Sequence, residues 1–259
     1  FVCLLLTFIG FRLINSGNAF DDLWLMLYLF LGALLSVAGY PLIYLMEKIF
    51  SLVSGTRLQE LCDPNNKLLR ILAQKAPGTF QHSLQVMNLA DAAARSIDAD
   101  VLLVRAGAMY HDIGKTVNPQ CFVENESLGA KFHDGLTPKE SAEMIIRHVS
   151  DGLALAAKYK LPQVVSDFIL THHGTTCTAF FYNKFIEDGG NPAEADAFYY
   201  KGKKPWTKEQ ALIMICDTVE AASRTLKDNT PETFDKFVEN IVSAKMAAGQ
   251  LDNADITLK

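Results

Sequence analysis

The sequence has no paired cysteine spacing. Its five cysteines are scattered along the chain, and no two of them form a C-x-x-C pair. This excludes a zinc knuckle, which needs clustered thiolates, and argues against a disulfide scaffold. Isolated cysteines suit a reducing compartment, and none of them stands in a nucleophile motif. They are Cys3, Cys62, Cys121, Cys177 and Cys216.

The sequence also lacks an excess of basic residues and the alternating pattern that is typical of β-strands. The net charge is −5 at pH 7, so the chain lacks the positive surface that bulk nucleic acid would need, and we expect no such partner. No stretch alternates between apolar and polar residues over the length of a strand, and no internal repeat is present. We therefore expect an all-α fold, with a helical bundle preceded by transmembrane helices.

Charge is absent from one long apolar run. From Leu23 to Met46 the chain has no charged residue, and this run exceeds the roughly 20 residues that a helix needs to cross a bilayer. A buried core helix is the alternative, which the length of the run disfavours. Phe1 to Ile14 is apolar except for Arg12, so we interpret it as the end of an earlier span and expect the chain to be part of a longer protein.

The charges on either side of the run predict its orientation. The polar loop from Asn15 to Asp22 has Asp21 and Asp22 but no Lys or Arg, whereas five basic residues follow the run. The positive-inside rule then places everything after Met46 in the cytoplasm. The basic residues are Lys48, Arg57, Lys67, Arg70 and Lys75.

The expected organisation has three parts. Residues 1–46 are the C-terminal part of a transmembrane region, residues 47–76 are a juxtamembrane connector with a turn at Asp63 to Asn66, and residues 77–259 are a cytoplasmic domain. We expect a multi-pass protein of the cell inner membrane that contacts membrane lipid, and leave open whether it is a homodimer.

The central motif is Tyr-His-Asp-Ile-Gly-Lys, from Tyr110 to Lys115. Asp100 is the expected N-cap of the preceding helix, and Gly114 is the expected left-handed stop at its end. An imidazole and a carboxylate side by side at a helix end can hold a metal ion. A His-Asp pair alone would be weak evidence.

Further metal-type side chains lie on other predicted helices. One helix is expected to begin with Thr79 as N-cap, another at the capping box of Thr137 and Glu140, and another at Thr207 with Gln210. A lone inward histidine such as His82 is usually a hydrogen-bonded core residue, and Arg224 is an alternative partner for Asp217. The full set is His82, His111, Asp112, His148, His172, His173 and Asp217.

Seven such ligands exceed the needs of one ion, so we predict a two-metal site with Asp112 as the bridge. Imidazole and carboxylate ligands without thiolate suit iron, manganese, zinc or cobalt. Two ions can share a hydroxide that attacks a phosphate ester. The expected ligand sets are His82, His111, Asp112 and Asp217 for one ion, and Asp112, His148, His172 and His173 for the other.

Substrate contacts are less clearly marked. Lys115 could neutralise the charge of a phosphate oxygen, or it could simply interact favourably with the helix dipole at the C-terminal end of the helix. Arg147 is the second choice for the phosphate contact. The long segments 116–135 and 175–204 are expected to border the substrate. Their aromatic residues could stack on a base or pack internally, and His133 is expected to be exposed and outside the metal set. The aromatic residues are Phe122, Phe181 and Tyr182.

The order His, His-Asp, His, His-His, Asp resembles the HD-domain metal-dependent phosphohydrolases. Several longer motifs resemble the membrane-anchored seven-transmembrane HD family, whose characterised members are cyclic di-AMP phosphodiesterases. The motifs begin at Pro77 (PGTFQHSL), Tyr110 (YHDIGK), Phe122 (FVEN), His172 (HHGT) and Asp217 (DTVEAASR).

The resemblance implies a function in bacterial second-messenger signalling. It implies hydrolysis of cyclic di-AMP to pApA, iron or manganese as the metals, His111, Asp112 and Lys115 as catalytic residues, and an N-terminal extracellular sensor domain. We include Thr175 among the substrate contacts. The cyclic di-GMP group carries Gly-Tyr-Pro after its His-His pair, which this chain lacks. A receptor without turnover and a phosphohydrolase for another nucleotide remain alternatives.

Overall fold

A computed structural model describes residues 2–16, 23–50, 52–125, 132–226, 228 and 230–256 of the chain. These residues are helical with connecting turns, and the β contact found among them is an isolated antiparallel bridge between Cys177 and Tyr199. The predicted all-α class is therefore confirmed. Part of the predicted polar loop, residues 17–22 with Asp21 and Asp22, lies outside the described residues, as do residues 126–131.

The first compact unit, Phe1–Ser54, contains two apolar helices. Helix α1 is Val2–Ser16 and helix α2 is Leu23–Phe50. Within the described chain, the segment Trp24–Phe50 of α2 is the one helix that is long and apolar enough to cross a membrane, judged by length and composition. Many of its large apolar side chains are exposed, which in water would be unfavourable.

The second compact unit, Gly55–Lys259, begins with two short helices. Helix α3 is Gly55–Cys62 and helix α4 is Lys67–Lys75. The predicted turn between them is confirmed, and Asn66 caps α4 by accepting a hydrogen bond from the backbone N–H of Leu68. These helices bury leucines in the second unit, and Leu61 is 1% exposed.

The remaining helices are α5 Pro77–Ser96, α6 Val101–Tyr110, α7 Pro138–Ile146, α8 His148–Lys158, α9 Gln163–Thr171, α10 Ala179–Glu187, α11 Lys208–Ser223 and α12 Pro231–Ala247. Helix α6 is central and packs against α3, α5, α9 and α11. Asp100 caps α6 as predicted, by accepting from the N–H of Leu103. Helix α12 packs apolar side chains against α11.

Two predicted helix starts need correction. Helix α5 begins at Pro77, so Thr79 is not its N-cap. Proline is favoured at the first helical position, and the Thr79 side chain is engaged elsewhere, donating to Glu124 Oε1 at 3.1 Å. The Thr207 hydroxyl does cap α11, but the Gln210 side chain accepts from the N–H of Trp206, so the predicted reciprocal box is incomplete.

Three other segments differ from the sequence interpretation. The capping box of Thr137 and Glu140 is confirmed, but the predicted helix through His148 is two helices, because α7 ends at Ile146 and α8 begins at His148. The segment 175–204 contains helix α10, which its turn residues had concealed. His133 is half-buried rather than exposed, with Nε2 donating to the Cys121 carbonyl at 2.9 Å.

Gly114 brings the segment after α6 against the start of α8. A Cβ added to Gly114 would lie 1.9 Å from the carbonyl oxygen of His148, a distance that no side chain can occupy. Gly114 is not among the positive-φ residues, so the predicted left-handed stop is wrong. The glycine is needed for close backbone approach, and it lies in a 3-10 helix, Ile113–Thr116.

We expect Gly114→Ala to destabilise the protein by about 1–3 kcal/mol, because the added methyl group must push α8 away from the 3-10 helix. Thermal unfolding of the full chain in detergent measures the change. Gly135→Ala is the matched control, since a Cβ at Gly135 meets nothing within 4 Å. Equal melting temperatures for the two variants would contradict this account of Gly114.

Candidate metal centre

Five helices bring polar side chains to one buried point. His82 lies one turn into α5, and Asp217 lies in the middle of α11. The other side chains stand at helix boundaries: His111 and Asp112 follow α6, His148 begins α8, and His172 and His173 follow α9. Gly174, with φ of +54°, turns the chain away after the histidine pair.

The structure brings together all seven side chains in two groups of four. His82, His111, Asp112 and Asp217 each offer one atom within 4.8 Å of the others, and so do Asp112, His148, His172 and His173. Asp112 belongs to both groups. Its Oδ2 lies 3.3 Å from His111 Nε2, and its Oδ1 lies 3.3 Å from His148 Nε2. These are the groups that the sequence analysis proposed.

Helix carbonyl groups orient three of the imidazoles. Nδ1 of His111 is 2.7 Å from the Ala108 carbonyl oxygen, and Nδ1 of His148 is 2.6 Å from that of Ile145. Nδ1 of His172 is 2.9 Å from the carbonyl oxygen of Ile169. A carbonyl can only accept, so Nδ1 carries the proton and, in the neutral ring, Nε2 keeps a lone pair.

The inward atoms lack ordinary hydrogen-bond partners. Among the described residues, His111 Nε2 and Asp112 Oδ1 are buried without a hydrogen bond. Nε2 of His148 and Nε2 of His172 lie 3.1 Å apart, and two neutral rings with protonated Nδ1 would face each other with lone pairs. Buried polar atoms without partners are costly, and a cation bound between these atoms, with the rings neutral, would remove the cost. The residues fit a metal site.

A comparison with protein families supports this arrangement. Residues 79–222, which include all seven side chains, match the HD domain family. The chain belongs to the HD domain family. Its His-Asp pair is His111-Asp112, which immediately follows the central helix α6.

Two curated relatives are similar over most of this HD-domain chain. The cyclic-di-AMP phosphodiesterase PgpH of Listeria monocytogenes serotype 1/2a (strain 10403S) is 42% identical over 250 residues, which are 95% of this chain and 35% of that protein. PgpH of Bacillus subtilis (strain 168) is 42% identical over 224 residues, 86% of this chain and 31% of that protein. The chain thus spans about a third of these relatives.

A solved HD domain has a similar structure. The crystal structure of the L. monocytogenes PgpH HD domain in complex with cyclic-di-AMP is 42% identical, with a TM-score of 0.72. The match covers 76% of this chain and 91% of that one. The helical HD-domain fold is therefore shared with an experimentally determined structure.

Lys115 is paired with carboxylates of the HD-domain centre. Its Nζ lies 2.7 Å from Asp112 Oδ2 and 2.8 Å from Glu124 Oε1. Burial alone would raise the pKa of Asp112, but Lys115 and His111 outweigh it and hold that pKa well below its usual range. Asp112 is therefore ionised in a site where an unpaired carboxylate would be unfavourable.

Two imidazoles of the centre differ in protonation when no metal is bound. Burial lowers the pKa of His148 to about 3, against the attraction of Asp112. Burial acts in the same direction on His111, but the carboxylates of Asp112 and Asp217 outweigh it and raise its pKa to about 10. In the metal-free protein at neutral pH, His111 is protonated and His148 is neutral.

Of the three predicted substrate contacts, the structure brings one to the centre. Lys115 touches Asp112, as described above. Thr175 follows the histidine pair, but its N–H donates to Gln250 Oε1 at 3.0 Å. Arg147 is not brought together with the centre: its side chain is 65% exposed and lies 3.6 Å from Asp151.

The sequence analysis missed Glu220. Its buried carboxylate contacts Nδ1 of His82 through Oε2, while its Oε1 accepts from Arg224 at 2.7 Å. Arg224 is thus the partner of Glu220, not of Asp217. Glu220 lies three residues after Asp217, so both face the same side of α11, and this spacing is a signal that could have found it.

We expect Glu220→Gln to weaken metal binding roughly 10- to 100-fold at the group that contains His82, because the carboxylate orients the ring and raises its basicity. Calorimetric titration of the metal-free chain with Mn²⁺ measures this change. Glu239→Gln, an exposed change on α12, is the control. Unchanged affinity in Glu220→Gln would remove the orienting role from Glu220.

We also expect metal binding at about pH 8 to release a proton from His111, because a ligand imidazole must be neutral. The sign follows from the pKa: with a value near 10, His111 Nε2 is still protonated at that pH, whereas His148 has no proton to lose. Titration with Mn²⁺ in buffers of different ionisation enthalpy counts the protons. Heat independent of the buffer would contradict this release of a proton from His111.

Proposed function

We propose that this chain is a metal-dependent phosphodiesterase that hydrolyses cyclic di-AMP to pApA. The observation that carries the proposal is the pair of ligand groups joined by Asp112. It occurs in a chain that is 42% identical to two proteins named cyclic-di-AMP phosphodiesterase. A relative of similar fold has been solved in complex with that nucleotide.

We assign two divalent transition-metal ions, iron or manganese, to the two groups. His82, His111, Asp112 and Asp217 would hold one ion, and Asp112, His148, His172 and His173 the other. When bound, such a pair makes water nucleophilic near neutral pH and neutralises phosphate oxygens. Imidazole and carboxylate ligands without thiolate favour these metals over a structural zinc ion.

The side chains around the metals prepare the site for this chemistry. Asp112 is positioned by Lys115 and four ring nitrogens, so its two oxygens are presented in different directions. His111 is oriented by its Nδ1–H bond to the Ala108 carbonyl. Lys115 neutralises part of the negative charge of Asp112 and Glu124, so that an anionic substrate would meet less repulsion at the centre.

We also propose a membrane setting for the enzyme. Residues 1–46 would be the C-terminal part of a transmembrane region of seven helices in the inner membrane, residues 47–76 a connector and residues 77–259 the cytoplasmic domain. The apolar helix α2 and the basic residues that follow it support this orientation. Membrane lipid would contact α2, and a homodimer is compatible with such an anchor.

We expect the Mn²⁺-loaded full chain to convert cyclic di-AMP to pApA, and the double change His111→Ala with Asp112→Ala to abolish turnover because it removes ligands from both groups. Chromatography of the products and metal analysis of each protein measure the outcome, with two ions expected per unmodified chain. His133→Ala is the matched control, since His133 lies outside both groups.

Turnover that persists in the double variant would end the metal-centre assignment. Tight binding of cyclic di-AMP without hydrolysis, with either iron or manganese, would instead identify a receptor. Hydrolysis of nucleoside mono- or triphosphates in preference to cyclic di-AMP would identify a different phosphohydrolase.

A further inference from the structure

Tyr200 borders the metal centre and was not found from the sequence. Its ring stacks on that of His173, with centroids 4.2 Å apart and planes inclined by 28°. The residue is 7% exposed, yet its hydroxyl forms no hydrogen bond with any residue in the described ranges. Asp112, Asp217 and Lys115 all influence the pKa of this phenol, which burial raises, so the ring lies within electrostatic range of the centre.

The hydroxyl of Tyr200 has room for a ligand. Tyr200 lines a cavity of about 910 Å³ together with Thr175, Lys204 and Gln250. No described residue bonds to its hydroxyl oxygen, which is not among the fully buried atoms without a partner. A group that enters from this cavity could therefore accept a hydrogen bond from the hydroxyl.

Lys245 lies on helix α12, on the face turned towards α11, the helix that carries Asp217. Ile241 and Val242, four and three residues earlier, pack against the core on α11, so Lys245 shares the helix face that is turned towards α11. After α12, Gln250 joins this end of the chain to Thr175, just beyond the histidine pair. Burial lowers the pKa of Lys245, and Asp217 is near enough to oppose that shift.

Lys245 differs from Lys115 in its contacts with the described residues. The ammonium group of Lys115 is already held by Asp112 and Glu124. Lys245 is half-buried, and its Nζ makes no ion pair or hydrogen bond with any residue that the structure describes. A cation without a counter-charge beside an acidic metal centre suits an incoming anion.

We propose that Tyr200 and Lys245 bind a non-bridging phosphate oxygen of the substrate at the metal centre. A phenol O–H and an ammonium group are both donors, and charge-assisted bonds to phosphate are strong. The proposal rests on the proposed phosphodiesterase function and adds two substrate-binding residues to it. It concerns the phosphate group rather than the base.

The test uses the Mn²⁺-loaded full chain with two probes, inorganic phosphate and cyclic di-AMP. We expect Tyr200→Phe and Lys245→Met each to raise the dissociation constant of phosphate about tenfold or more, and the KM for cyclic di-AMP similarly. The Mn²⁺ content should be unchanged, and Lys245→Arg should restore most of the affinity. Tyr159→Phe and Lys236→Met, which change a tyrosine outside this cavity and an exposed lysine of α12, are the controls.

Each result has one meaning. Weakened phosphate binding with full metal content supports the proposal, even if the chain does not hydrolyse cyclic di-AMP, in which case the proposed function alone fails. Unchanged phosphate binding in both variants overturns it. Loss of metal or of folding in Tyr200→Phe and Lys245→Met, with no rescue by Lys245→Arg, also overturns it, because the residues would then be structural.

Discussion

The buried carboxylate of Asp112 is the group on which the rest of the centre depends. It is 1% exposed and ionised, and five side chains donate to it or face it: Lys115, His82, His111, His148 and His172. A bare carboxylate in such a place would be prohibitively costly. The helices therefore have to deliver several positive or donor groups to one point, and this requirement explains why so many of them end there.

Close backbone packing is what makes this delivery accurate. Gly114 lets the segment after Asp112 pass against the carbonyl of His148, and Gly107 admits the ring of Phe168, from which a Cβ would be 2.6 Å away. The first contact joins the two ligand groups through the backbone, and the second joins α6 to α9, which leads into His172. Glycines on the central helix and just after it thus set the spacing between ligands that are far apart in sequence.

The donor groups in and around the centre are of two kinds. Lys115 is held by Asp112 and Glu124 and lowers the pKa of both carboxyl groups, whereas Arg224 pairs with Glu220. Lys245 Nζ and the hydroxyl of Tyr200 form no ion pair or hydrogen bond with the described residues. Donors that the protein does not use internally, next to a site that suits metals, are the natural place for an anionic substrate.

The sequence by itself determined the helical class, the long uncharged run and the capping box at Thr137, because helix periodicity and caps are local properties. It also indicated seven ligand-type residues at helix ends or on inward faces. Only the tertiary structure decided why Gly114 is a glycine, that α5 begins at Pro77, which partners hold Lys115, and that Glu220 and Tyr200 lie beside the ligands. Each of these depends on contacts between residues that are distant in the chain, and a local sequence pattern does not predict which distant residues will come into contact.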